Sequence, residues 1–161
     1  MKRALLAASL VVTFGLSFAA AEPKGIGLGF IAGEPSGLSA KIWMSNRTAV
    51  DAALAYSVWD YAALHVHADF LWHTQNMIQD ANGFLPLYIG VGGRVKLAND
   101  VGETHYPLRV GVRIPLGAEY VFTALPVGVF LEVVPIFNVV PSTAFNWNSA
   151  IGIRYYFGSK S

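Results

Sequence analysis

The stretch ALHVHADFLW, residues 63–72, sets His65, His67 and Asp69 at every second position. Imidazole and carboxylate are ligands that zinc accepts, and alternate side chains of an extended chain leave one face about 6.6–7 Å apart. At that spacing the three converge on an ion only if further ligands help. The chain has no Cys, and the other histidines, His73 and His105, fall in expected connections. A metal centre needs ligand number and geometry that spacing alone does not supply. In the competing reading the same groups are the polar face of a strand whose other face is Leu64, Val66, Ala68 and Phe70. That reading assigns no metal ligand. It expects Asp69 to pair with a cation, Arg94 or Lys96, on the following strand.

Other candidate chemistry is thinner. GIGLGF, residues 25–30, has the glycines of a phosphate-cradling loop, but no helix pattern follows it to offer an N-terminus. A Ser-His-acid device needs a hydroxyl, an imidazole and a carboxylate within hydrogen-bond reach. To act on lipid it must also lie on a lipid-facing surface, and the outward positions assigned below hold no His and no acid. No catalytic residue, cofactor or cofactor-binding residue is assigned.

The elements that position these residues are written in a period of two. From 107 to 122 the chain reads PLRVGVRIPLGAEYVF. Its even positions carry Leu108, Val110, Val112, Ile114, Leu116, Ala118, Tyr120 and Phe122, while Arg109, Arg113 and Glu119 share the odd face. A helical period would scatter those charges around the axis; a strand period separates them. The same pattern marks eight segments: 25–32, 38–44, 48–58, 63–72, 85–97, 107–122, 127–134 and 147–157. On the inward face they place Lys41, Asp51, His65, His67, Asp69, Arg94, Lys96, Arg109, Arg113, Glu119, Glu132 and Arg154, expected to form one polar lumen network. Trp43 shares that face. Pro115 and Pro135 lie in or beside pairing regions and are expected to mark bulges, or at Pro135 the end of the seventh strand.

Compartment and solvent follow from composition. Lys2 and Arg3 precede an uncharged run, 4–21, that ends in Ala19, Ala20 and Ala21 before Glu22 and Pro23. That is the order of a cleavable export signal, so 1–21 is expected to be removed and 22–161 to form one domain. Without Lys2 and Arg3 the 11 Lys+Arg become 9 against 10 Asp+Glu, a balance that speaks against nucleic-acid binding. Hydrophobic residues make up 54% of the chain, yet past residue 21 no uncharged run is long enough for a membrane helix. An exported apolar chain without such a helix can enter a bilayer as a closed barrel, because lipid offers no partner to an unpaired backbone N–H or C=O.

The ending WNSAIGIRYYF, with Ile151, Ile153, Tyr155 and Phe157 alternating, resembles the closing strand of bacterial outer-membrane β-barrels. With the leader and the eight segments, the chain resembles small barrels of the OmpA and OmpX kind in architecture. LPLYIGVGGRVKL and VRIPLGAEYVF likewise resemble uncharacterised small outer-membrane barrels. The resemblance implies an all-β, eight-stranded antiparallel up-and-down transmembrane β-barrel in the outer membrane. It further implies a monomer in contact with outer-membrane lipids, assembled by the barrel-assembly machinery through its last strand, and it implies no cofactor. Both termini would then be periplasmic, with 34–37, 59–60, 98–106 and 138–146 outside and 73–84 an unusually long periplasmic connection. The role expected is structural or surface-interacting. A narrow anion-preferring pore, a lipid-modifying enzyme and a soluble lipid-binding barrel remain as alternatives.

Overall fold

The computed structural model describes residues 25–57, 63–74, 78–98 and 108–158. The expected leader, the expected connection 59–60, residues 99–106 of the expected connection 98–106, and with them His105, lie outside the described residues. The strands are β1 (Ile26–Glu34), β2 (Ser36–Trp43), β3 (Thr48–Ser57), β4 (Ala63–His73), β5 (Ile78–Gln79), β6 (Gly83–Leu85), β7 (Leu87–Ala98), β8 (Leu108–Arg113), β9 (Leu116–Phe122), β10 (Val127–Val140) and β11 (Ala144–Phe157).

They close into an antiparallel barrel of eight staves. Successive staves are neighbours in space, and β11 completes the ring by pairing with both β10 and β1, from Ile26↔Phe157 to Glu34↔Ser149. The alternation read from the sequence explains this closure. A strand with apolar side chains on one face and charges on the other satisfies its backbone only in a ladder, and a closed ladder has no open edge.

Two staves are divided by proline. Pro86 separates β6 from β7, and both of these pair with β9. Pro115 interrupts the stave made of β8 and β9, each of which pairs with β7 and β10. Proline brings no N–H to the ladder. Here Gly90 N–H donates to Pro115 O at 2.8 Å and Ile114 N–H to Pro135 O at 3.1 Å, so bonding continues past the break.

Several sequence boundaries need correction. Pro135 does not end its strand: it stands opposite Trp147 within the β10–β11 ladder. Its missing N–H costs one bond, and the residues on both sides still pair. The expected external connection 138–146 is accordingly shorter, with β10 running to Val140 and β11 starting at Ala144. His73, expected in a connection, is the last residue of β4 and is buried. The long connection after it contains structure of its own. There β5 and β6 form a hairpin, and Gly83 and Phe84 pair with Phe122 and Val121. The Asp80 carboxylate shapes its turn by accepting the N–H of Asn82 and of Gly83, both at 2.8 Å. Those bonds, with one from the Tyr120 hydroxyl, hold Asp80 below the usual carboxylate range.

Candidate functional site: the charged lumen

Burial along β4 alternates without exception for the polar groups: His65, His67, Asp69 and His73 are buried, whereas Leu64, Val66 and Trp72 are exposed. Lys41, Asp51, Arg94, Lys96, Arg113, Glu119, Glu132 and Arg154 are buried as well, and Arg109 is half-buried. An eight-stranded barrel is just wide enough for its own side chains to fill. Arg113, Arg154, Lys41 and Lys96 are among the largest fully buried side chains here.

Two chains of charge cross this interior. In the first, the Glu119 carboxylate accepts Lys41 Nζ and the Tyr156 hydroxyl. Arg154 then joins Glu119 to the opposite wall: its Nη1 is 3.8 Å from Glu119 Oε1, its Nη2 donates to Asp51 Oδ2 at 3.0 Å, and its Nε donates to Ser39 Oγ at 3.0 Å. The guanidinium lies 3.8 Å above the centre of the Phe130 ring, a face that favours cations. Lys41 is enclosed similarly, with Nζ 2.9 Å from His73 Nε2 and 4.3 Å from the Trp43 ring centre. In the second chain Arg113 binds Asp69 through Nε and lies 3.5 Å from Glu132, which accepts the Tyr88 hydroxyl at 3.2 Å.

Asp69 therefore pairs with Arg113, not with Arg94 or Lys96 as expected from the adjacent strand. The reason is row geometry. Asp69 stands opposite Gly92 on β7, and Gly92 stands opposite Arg113 on β8. Glycine leaves a gap, and the long Arg113 side chain crosses it. Arg94 instead stands opposite His67 and donates to Asn138 Oδ1 at 2.8 Å, while Lys96 stands opposite His65 with Nζ 3.8 Å from Glu34.

The metal question now has a geometry. Asp51, His67 and Asp69 offer one ligand atom each within 4.8 Å of one another; His65 is outside that set. Asp51 and Asp69 are direct cross-strand partners, an arrangement of like charges that is destabilising unless offset. Arg154 and Arg113 offset it, one guanidinium to each carboxylate. A divalent ion would compete with both for these carboxylates and would add two positive charges beside them. The residues fit a guanidinium-neutralised pair better than a metal centre.

Sequence reading omitted His73, Tyr88, Tyr156 and Asn138 from this interior, whereas Ser39 falls on the inward face of its segment, with Lys41 and Trp43, and is buried. Parity could have found them: His73 continues the series 65, 67, 69, 71, and Tyr88 and Tyr156 share the register of Arg94 and Arg154. Nor is a Ser-His-acid triad assembled among the described residues. His67 Nε2 is 3.9 Å from Asp69, and the Ser39 hydroxyl accepts Arg154 instead of meeting an imidazole.

No protein-family model matches the chain, and no curated protein or solved structure matches it significantly.

Proposed function

We propose that this chain is an integral outer-membrane β-barrel protein with a structural or surface-interaction role. The observation that carries the proposal is the inversion of the barrel. Its charges are inside, and its outer wall presents Phe30, Leu38, Leu54, Leu131 and Ile151, each more than half exposed. A soluble protein rarely exposes a contiguous apolar surface of that extent.

Aromatic residues give the wall two edges. One edge carries Phe70 with Trp72, Tyr120 with Phe122, and Tyr155 with Phe157; the other carries Phe137, Phe145 and Trp147. On β11, Trp147 and Tyr155 are separated by about 26 Å of strand at ~3.3 Å per residue. A tilt of about 40° reduces that to an axial height of about 20 Å. Barrels in bilayers have apolar bands about 25 Å tall, edged by aromatic girdles. No helix of the described residues is long and apolar enough to cross a membrane, so any crossing by those residues falls to the strands.

The alternatives meet specific obstacles. A soluble lipid-binding barrel needs an apolar lumen and a polar exterior, the reverse of this arrangement. A pore needs an open path, and Lys41, Arg113 and Arg154 occupy the interior. Lipid-modifying chemistry needs its device on the outer wall. In this reading the chain is a monomer, the barrel-assembly machinery receives β11, and lipids surround the wall. Membrane fractionation with gel mobility before and after heating tests it. Recovery in the outer-membrane fraction with a heat-shifted band is the expected result. Detergent-free solubility of the folded chain would reject the proposal.

A further inference from the structure

The ring closes only where β1 and β11 run side by side, and at one end β11 is the longer. The β1–β11 ladder stops at Glu34↔Ser149, where the chain turns through Pro35 into β2. β11 extends to Ala144, still paired on its other side with β10 as far as Asn138↔Ala144. Among the described residues nothing pairs with 144–148 on the side that β1 has left.

The aim of the amides on this stretch follows from the opposite end of the strand. Tyr156 N–H is donated to Pro126 O, on the β10 side. Successive residues of a strand direct their N–H and C=O to opposite edges, so even-numbered residues of β11 serve β10 and odd-numbered ones serve β1. Phe145 and Trp147 therefore aim both groups at the open edge. Natural proteins blunt such edges with charge, Lys above all, or with Pro. AFNWN, residues 144–148, has neither. A second observation falls on the same stretch: Asn148 is buried on the inward face, and its Nδ2 has no hydrogen-bond partner.

We propose that 144–148 binds an extended segment of a partner protein by strand addition, the new strand running antiparallel to β11 from the point where β1 stops. What the edge offers is a row of backbone donors and acceptors at strand spacing, and another strand is the group that matches it. The ladder already formed by β1 is the template, and the added strand continues it. Its side-chain pattern is set by the two faces. Apolar residues fall opposite Phe145 and Trp147, which are exposed on the outer wall, and hydroxyl or amide residues opposite Asn146 and Asn148. The proposal gives the surface-interaction role its partner class and rests on that reading, which puts this end of the barrel outside.

The test uses the full chain, nitrogen-labelled and folded in non-ionic detergent, with an acetylated, amidated heptapeptide of alternating Thr and Val as the probe. Saturable shifts of the Phe145 and Trp147 amide resonances, and slower hydrogen exchange of both amides, are the expected result. Methylating the peptide's amides along one edge should weaken binding about tenfold or more, and along its other edge less than about twofold, since one edge alone bonds to β11. Phe145→Pro removes one of the aimed N–H groups and Trp147→Lys adds a blunting charge; each should weaken binding about tenfold. Leu131→Val, on the outer wall of β10, should leave it within about twofold. Should Phe145→Pro fail to fold, the methylated peptides on the unmutated protein still decide the matter. Protection of the Phe145 and Trp147 amides without peptide, absence of saturable shifts, or equal loss from methylation of either edge overturns the proposal. The heat-shifted gel band is read on the same samples. A folded barrel that does not bind rejects the edge alone, whereas a folded chain soluble without detergent rejects the outer-membrane reading.

Discussion

Arg113 on β8 reaches over Gly92 on β7 and sets its Nε 3.1 and 3.0 Å from the two carboxylate oxygens of Asp69 on β4. The bond spans three strands, so it ties together staves that no single ladder joins. Both side chains are almost wholly shielded from solvent. Each ion has been taken out of water, and neither is tolerable without the other.

Removing Asp69 alone should therefore cost more than removing the pair. Asp69→Ala strands a buried guanidinium, a loss of about 3–5 kcal/mol, with Glu132 at 3.5 Å limiting it to the lower part of that range. The double change Asp69→Ala with Arg113→Met should recover part of the loss. His65→Ala, at a ring whose nitrogens have no hydrogen-bond partner, should have the smallest effect of the three. Urea unfolding of the detergent-folded barrel, followed by the folded gel band, gives the ranking. A double variant less stable than Asp69→Ala would contradict it.

Gly92 is expected to be irreplaceable for a reason independent of its own flexibility. A Cβ there would stand 2.6 Å from the Asp69 Cα and collide with the Asp69 carboxylate, in the gap that Arg113 crosses. At the next residue, Gly93, an added Cβ meets nothing closer than Gly111 O at 3.9 Å. Gly92→Ala should abolish the folded band or lower the unfolding midpoint strongly, and Gly93→Ala should leave it nearly unchanged. Equal behaviour of the two would mean that the row Asp69–Gly92–Arg113 is misplaced.

Parity made the faces legible in the sequence, because a side-chain period of two is a local property of each strand. Which groups meet across the lumen depends on register between strands, and register is nonlocal. Sequence alone thus points Asp69 to the cations of the adjacent strand, although its partner lies one strand further on. The same limit applies at Gly111. Parity sends it inward but does not reveal that a Cβ there would stand 2.9 Å from Asn138 Oδ1. Pro135 is expected from the sequence to mark a bulge or a strand end because one missing N–H looks like a stop, yet the surrounding ladder keeps its register across the gap. His73 was lost to the opposite error, a strand ended one residue early at Trp72.

Val112 tests the outer wall. It sits on β8 with 42% exposure, between the inward Gly111 and Arg113. If lipid surrounds the wall, Val112→Arg should lower stability in vesicles by about 2–4 kcal/mol, the cost of Arg near a bilayer midplane. Val112→Leu should be close to neutral. Folding yields in lipid vesicles, measured by the heat-shifted band, compare them. Equal yields would show that Val112 does not face lipid.

The His-x-His-x-Asp spacing leads to the last expectation. Asp51, His67 and Asp69 are close enough to share an ion, but both carboxylates already hold guanidinium groups. A ligand that binds only the folded state stabilises it by RT ln(1 + [L]/Kd), so a real site would raise the unfolding midpoint as zinc is added. We expect no such rise: zinc and a chelator should give superimposable unfolding curves for the parent and for His67→Ala. A metal centre makes the opposite demand, a zinc-dependent stabilisation that His67→Ala loses and His65→Ala, outside the triplet, retains. That pattern would show that zinc competes with the guanidinium groups for these carboxylates, and the charged lumen would have to be reinterpreted as a metal site.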